Sequence, residues 1–536
     1  MVIANPVTAN AQASESAVPQ LGLGLDEMHT GRLGWANRPH WGLGIPFRQR
    51  PLRTGEMLLL GIAVLIGAFA YALVGITVTG SLPEHFWFEI GSLIGIAVLY
   101  HLVITFFAPW ADPIILPAVV LLNATGLAMI LRIELAGARG ADAVRATQWS
   151  ILAAVASAGL LILLYDHKIL RRFTYLSMII GLVLLLLPLV PGLGRTINGA
   201  RIWVTVAGYS FQPAEFAKIF LSIFFAGYFM HSKDNLALAG PKFLGLQLPR
   251  PRDLGPILVV WAASIGVLVL QNDLGMSLML FGMFVAMLYL ATQRVSWLLI
   301  GGLLFSGGAI VVFRTVGHVA SRIDGWINAM DPAVFNRPVG GSFQLVAGLF
   351  GLANGGLLGT GWGRGFPQLV PLSFSDFIFT SLGEELGLTG VLAILVIFLI
   401  ICERGFRAAI GVRDGFGKLL AGGLSFLLAL QLFTIIGGVT RLLPLTGLTV
   451  PFMAQGGTSM VSNWLMIALL LRISDAARQP SYDPGLAEVA VAPVSEHVVK
   501  GRSVGPVTPG LPALNPAHVG DTNQDQTQTM VVGGLP

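Results

Sequence analysis

Charge is scarce in this chain: Asp, Glu, Lys and Arg make up 11% of its 536 residues, where soluble domains carry roughly 25%. Nor is the charge one-sided. A formal net charge of +5, from 32 basic and 27 acidic residues, is no nucleic-acid footprint, and each charge is better read through its position. Cysteine is almost absent. Cys402 stands alone, so no intrachain disulfide can form and the redox compartment is unreadable; it reads as a small apolar residue near a helix end. Residues 1–54 hold Ser, Ala, Gly, Pro and Arg without an apolar core, which excludes a signal peptide there. No repeat relates the two halves, which counts against the duplicated design of ordinary secondary transporters.

What the chain has is apolar bulk. Hydrophobic residues reach 54% before glycine is counted, too many to hide in a water-soluble core of this length. A spanning helix needs ~20 mostly apolar residues. About twelve such runs are found by hydropathy: 55–79, 88–108, 113–131, 149–165, 173–190, 214–230, 255–270, 274–292, 297–313, 377–402, 416–439 and 460–473. They are too long for barrel strands, so the expectation is an all-α polytopic integral membrane protein with its membrane domain over 55–473. The residues after it, from Ser474 on, are rich in Pro, Gly, Thr and Val and read, like 1–54, as a disordered tail.

Basic residues orient the bundle. Arg48, Arg50 and Arg53 precede the first run, and Lys168, Arg171 and Arg172 follow the fourth. Lys233, Lys242, Arg250 and Arg252 follow the sixth, Arg294 the eighth, and Arg404, Arg407, Arg413 and Lys418 the tenth. Arg472 ends the twelfth. Alternation puts all of these on one side, which is then cytoplasmic and carries both termini. The long segment 314–376 falls outside. Arg195, Arg201, Arg322, Arg337, Arg364 and Arg441 fall outside too; they contact lipid headgroups or form an external site for an anionic ligand, because guanidinium forks grip phosphate in pairs of bonds.

Ionisable residues at membrane depth are costly and point to function. Four sets occur. The first is Asn198-Gly199-Ala200-Arg201 followed by Gln212-Pro213-Ala214-Glu215 and Lys218, where Glu215 and Lys218 share a helix face as a structural ion pair or a functional one. The second is Gln271-Asn272-Asp273-Leu274-Gly275, whose Asp273 suits a helix N-cap. The third is a glycine-rich outer loop with a short interfacial or re-entrant helix near 343–358. It runs through Ser375-Asp376-Phe377 into the tenth run, which carries Glu384 and Glu385. Asp376 is an N-cap or a reactive group at the membrane edge, and the paired glutamates need partners on neighbouring helices. The fourth is Arg441 to Phe452 with Gly456, Gly457 and Thr458, where two prolines and several glycines break the backbone at membrane depth, as happens where it lines a cavity.

Taken in order, NGAR, QPAEFAK, NDLG, the glycine-rich loop, SDFIF with GEELG, and LPLTGLTVPF with GGTS resemble the SEDS family (shape, elongation, division and sporulation), over roughly 166–472. RDLGP at Arg252 and VRDGFGKLLAGG at Val412 are most similar to its actinobacterial RodA branch. The chain departs from the family pattern at Leu372, where a glutamate is usual, at Ser375 and at Ala454-Gln455. The first two runs look like additions to a ten-helix family core.

The resemblance implies a processive glycosyltransferase that polymerises lipid II, an undecaprenyl-pyrophosphate-linked disaccharide-pentapeptide, for elongation or division. An acceptor sugar hydroxyl must attack the donor's anomeric carbon, and a carboxylate in reach takes its proton; the resemblance assigns this to Asp376. The pyrophosphate leaving group needs cations. Arg201, Lys218 and Arg441 are candidates, a divalent ion (Mg or Mn) is an option, and Gln212, Glu215, Asp273, Glu384, Gly456, Gly457 and Thr458 are candidate binding positions. An α-linked donor and β-linked product imply inversion. The family implies a class B penicillin-binding protein as partner, with membrane lipid and without nucleic acid. A lipid II flippase or general transporter is the rival reading, and a scaffold is a third.

Overall fold

The computed structural model describes residues 53–480, apart from 198–199, 207–208, 238–241, 244–245, 248–258, 260–261, 264–265, 268 and 339. The two predicted tails lie mostly outside these residues; residues 53–54 of the first lead into the first helix, and residues 474–478 of the second continue the last.

Eleven helices among the described residues are long and apolar enough to cross a membrane. They are α1 (Thr54–Thr79), α2 (Phe86–Phe107), α3 (Ile115–Leu135), α4 (Ala143–Leu163), α5 (Thr174–Leu186, flanked by 3-10 turns), α6 (Pro213–Ala237), α7 (Leu274–Thr292), α8 (Val295–Thr315), α12 (Ile378–Gly411), α13 (Gly415–Val439) and α14 (Gly457–Arg478). The outer segment between α8 and α12 adds α9 (Gly317–Ile327), the short α10 (Pro332–Phe335) and α11 (Phe343–Gly355). The chain is thus a multi-pass, almost wholly helical membrane protein. The expected twelfth run, 255–270, lies mostly outside the described residues. α11 is the short apolar helix expected near 343–358.

Two details of extent stand out. The last helix does not stop at Ile473 but continues to Arg478, because Asp475 accepts from the Trp110 amide at 2.9 Å and Arg472 donates to the carbonyls of Phe107 and Leu161. And the chain is not purely helical. An antiparallel sheet of β1 (Gly194–Ile197), β2 (Ala200–Val206) and β3 (Tyr209–Phe211) precedes α6. Its signs were local: Asn-Gly between β1 and β2, and alternation in Arg-Ile-Trp-Val-Thr-Val.

α3, α6, α13 and α14 are mostly buried and form the centre, while α1, α2, α5 and α8 expose much of their apolar length, as lipid-facing helices must. α1 and α2 pack on α3 and α4. Arg53 fastens the start of α1 to the segment after α2, donating to the carbonyls of Pro109 and Ala111 and pairing with Glu56, which also meets His101 at 2.9 Å.

Candidate active site

Four segments converge at one end of the bundle. α6 opens with Pro213, whose missing amide and fixed φ suit a first helical turn. One turn on, Lys218 Nζ lies 2.7 Å from Glu215 Oε2, and both are buried. The same ammonium donates to Gln431 of α13 at 3.1 Å and to Asn463 of α14 at 3.2 Å. Ser462 donates to the Glu215 carbonyl at 2.6 Å, and Thr458 Oγ1 accepts from the Gln212 amide at 3.4 Å. Lys218 thus ties three spans, and Gln431 and Asn463 are site residues that sequence reasoning missed. Their signal was a lone amide in an otherwise apolar span.

Asp273 is the N-cap of α7, accepting from Met276 at 3.0 Å. Asn272 before it takes the left-handed conformation, φ 58°, which asparagine tolerates. Asp376 lies in a turn before α12 and does not cap it; Phe377 holds the N-cap position, without a side-chain bond. Asp376 is 7% exposed, and its Oδ1 has no hydrogen-bond partner among the described residues.

Arg322 of α9 stands near both acids. It is attracted electrostatically to both Asp273 and Asp376, and its Nη1 donates to the Leu445 carbonyl at 3.1 Å. Burial pushes Asp376 up to about 6, against the pull of Arg322 and nearby amides. Burial likewise raises Asp273, and it lowers Arg322 against the attraction of the two carboxylates. Arg322 had stood only among the external arginines; nothing in its sequence neighbourhood marked it as the residue near both acids.

The broken segment 440–456 forms the floor. Its carbonyls are satisfied by side chains from the spans around it: Phe452 by Asn123 at 2.9 Å, Thr449 by Gln431 at 3.0 Å, and Leu445 by Arg322. That is how irregular backbone survives at membrane depth. Gly456 caps α14, and Gly457 presses on the Trp149 ring, where a Cβ would come within 2.3 Å.

Not every predicted residue joins this cluster. Arg441 donates to the carbonyls of Trp326 at 2.9 Å and Ile327 at 2.7 Å, so it pins the end of α9. Arg201, on β2, reaches the Val190 carbonyl at 3.4 Å. Glu384 is buried and accepts from Asn354 at 2.9 Å, two helical turns beyond Asp376. Its neighbour Glu385 has the basic partner expected of it, Arg132, at 2.7 Å. α12 breaks at Gly387, φ 69°, and the freed groups pair with 356–361: Leu388 N–H with the Gly356 carbonyl, and Thr360 and Gly361 N–H with the carbonyls of Glu384 and Glu385.

Two hollows flank α9 and the stretch 443–446. One, of about 720 Å³, has Arg322, Trp326, Arg337, Gln344 and Leu372 on its walls. The other, of about 250 Å³, is almost wholly apolar, bounded by Leu274, Phe281, Phe305, Val312, Ile323 and Pro444. A hollow walled in part by arginines, beside an almost wholly apolar one, suits an amphiphile with a polar head and a hydrocarbon tail. Among the described residues no three His, Cys, Asp or Glu are grouped to hold a metal ion.

The family described as cell cycle protein, of the FtsW, RodA and SpoVE type, matches residues 106–479, so α1 and all but the end of α2 precede the match. Peptidoglycan glycosyltransferase RodA of Mycobacterium tuberculosis is 44% identical over 437 residues, 80% of this chain and 92% of that protein. Stage V sporulation protein E of Bacillus subtilis is 31% identical over 315 residues, 58% of this chain and 82% of that protein. Among solved structures, a chain of a peptidoglycan synthase complex that coordinates polymerization and crosslinking aligns with a TM-score of 0.54 at 23% identity, covering 69% of this chain and 99% of that one. That likeness concerns the fold.

Proposed function

The chain belongs to the FtsW, RodA and SpoVE family of cell cycle proteins, and from that membership we propose that it is a peptidoglycan glycosyltransferase that polymerises lipid II, with Asp376 as general base. The observation that carries the assignment of the base is the buried Asp376 carboxylate, one oxygen unpartnered among the described residues, within electrostatic reach of Arg322, which lines the larger hollow. A base raised to about 6 is ionised near neutral pH yet basic enough to take the acceptor hydroxyl's proton as the glycosidic bond forms. The disaccharide occupies the polar hollow and the polyprenyl chain the apolar one. Inversion needs no covalent enzyme intermediate.

The leaving pyrophosphate gains charge as the bond breaks, and fixed cations stabilise it without reorganisation. Arg322 and Lys218 take this role. Magnesium is commonly held by one or two carboxylates together with substrate phosphates, and the unpartnered oxygen of Asp273 is the kind of donor such an ion takes; a bound ion would share the neutralisation of the pyrophosphate. The distribution of basic loops supports a topology with both termini in the cytoplasm and 314–376 outside. A class B penicillin-binding protein is the partner that would crosslink the strand.

The test is purified full-length chain with labelled lipid II, scored by gel for glycan length. Ladders from wild type and none from Asp376→Asn support the reading. Transbilayer movement of lipid II without polymer would favour the flippase instead.

A further inference from the structure

The far end of the bundle from Asp376 carries a second charged hollow. α12 starts just after Asp376 and ends at Gly411, three residues before Asp414; its part beyond the Gly387 break, 388–411, alone spans on the order of 35 Å. There, a cavity of about 330 Å³ is walled by Lys168, Arg171, Arg172 and His231, with Asp414 on one side and Met230 and Phe416 as apolar cover.

The lone acid in that wall is already compensated: Asp414 meets His167 Nε2 at 2.7 Å and accepts from the Gly417 amide at 2.7 Å. Lys168, Arg171 and Arg172 form no ion pair among the described residues. Arg171 instead faces the ring of His231, Nη2 to Nε2 3.5 Å, and His231 Nδ1 lies 2.8 Å from the Gly227 carbonyl. That second bond requires the proton on Nδ1, and Nε2 accepts from Arg171 only when it carries none. A guanidinium served by a neutral ring, beside two further cations, has its strong bonding capacity still to use. The neighbouring Phe173, Tyr175 and Leu176 are exposed, an apolar surface of the kind that faces lipid.

We propose that this hollow binds the phosphate headgroup of an anionic phospholipid, its acyl chains lying along the exposed apolar face of α5. Basic pockets at the ends of spanning helices recognise such headgroups, and each cation near the surface strengthens binding roughly fivefold. The site is separate from the catalytic end and independent of the reaction proposed there.

The test is native mass spectrometry of the full-length chain in detergent, titrated with phosphatidylglycerol or with phosphatidylcholine. Wild type retains at least one phosphatidylglycerol more than a Lys168→Gln/Arg171→Gln/Arg172→Gln variant, and phosphatidylcholine does not distinguish them. A charge-preserving Lys168→Arg/Arg171→Lys/Arg172→Lys variant keeps the adduct. If the triple Gln variant fails to fold, Arg172→Gln alone, at an exposed position, weakens binding roughly fivefold. Equal retention by wild type and the Gln variants overturns the proposal. So does inorganic phosphate that displaces the lipid at millimolar concentration, which would mark a site for free phosphate.

Discussion

Arg132 and Glu385 stand 253 residues apart in sequence, yet the Arg132 Nε lies 2.7 Å from the Glu385 carboxylate. The same carboxylate accepts from the amides of Gly363 at 2.8 Å and Gly365 at 3.2 Å, and Arg132 donates to the Gly365 carbonyl at 2.6 Å. One buried pair therefore ties α3, α12 and the glycine-rich loop together.

Breaking that pair leaves an uncompensated buried charge, which typically costs about 3–5 kcal/mol. Arg132→Met should lower the thermal unfolding midpoint markedly. Arg132→Met with Glu385→Leu should recover part of it, because no charge is then stranded. An unchanged midpoint in the single variant would show that the pair is not what holds the loop.

Asp376→Asn keeps the size of the side chain and removes the base. Losing general base catalysis costs ~10²–10⁴-fold, so polymer should vanish from a gel while lipid II still binds. Asp376→Glu should do nearly as badly, since a misplacement of about an ångström can cost ~10²-fold. Near wild-type polymer from Asp376→Asn would move the assignment to Asp273.

Because burial lifts Asp376 to about 6, its reactive form is lost as pH falls through that value. Glycan synthesis should fall about tenfold per pH unit below about 6 and level off above about 7. The stability sign is opposite: the native state favours the protonated carboxyl, so this group's contribution to stability is lost as pH rises from about 4 through about 6. An acid limb centred near the ordinary carboxylate value of about 4 would contradict the role.

Lys218→Met should abolish polymerisation, but it also strands the buried Glu215 carboxylate. The companion variant Glu215→Gln/Lys218→Met removes both charges. If the pair acts on the pyrophosphate, the double variant regains thermal stability and stays inactive. If it regains activity as well, the pair serves packing alone.

Topology is checked with a single cysteine in a Cys402→Ser background. The probe belongs at Asn336, exposed in the outer segment between α8 and α12. Asn336→Cys should react with an impermeant thiol reagent in whole cells. Reaction only after lysis would invert the bundle.

Hydropathy by itself determined the spans, because lipid demands about twenty apolar residues per crossing whatever the fold. The run 274–292 coincides with α7, and the others among the described residues differ from their helices mainly at the ends. Local chemistry likewise marked the Glu215–Lys218 pair, which needs only helical spacing, and the Asp273 cap. Tertiary structure decided what spacing cannot reach. Arg322 comes within electrostatic reach of Asp273 and Asp376 because Arg441 and the Leu445 carbonyl hold α9 over the broken segment. Glu384 and Arg441, alike in sequence to the residues at the centre, are drawn off by Asn354 and by the Trp326 and Ile327 carbonyls. A charged side chain's partner depends on which helices stand beside it, and packing across hundreds of residues sets that neighbourhood.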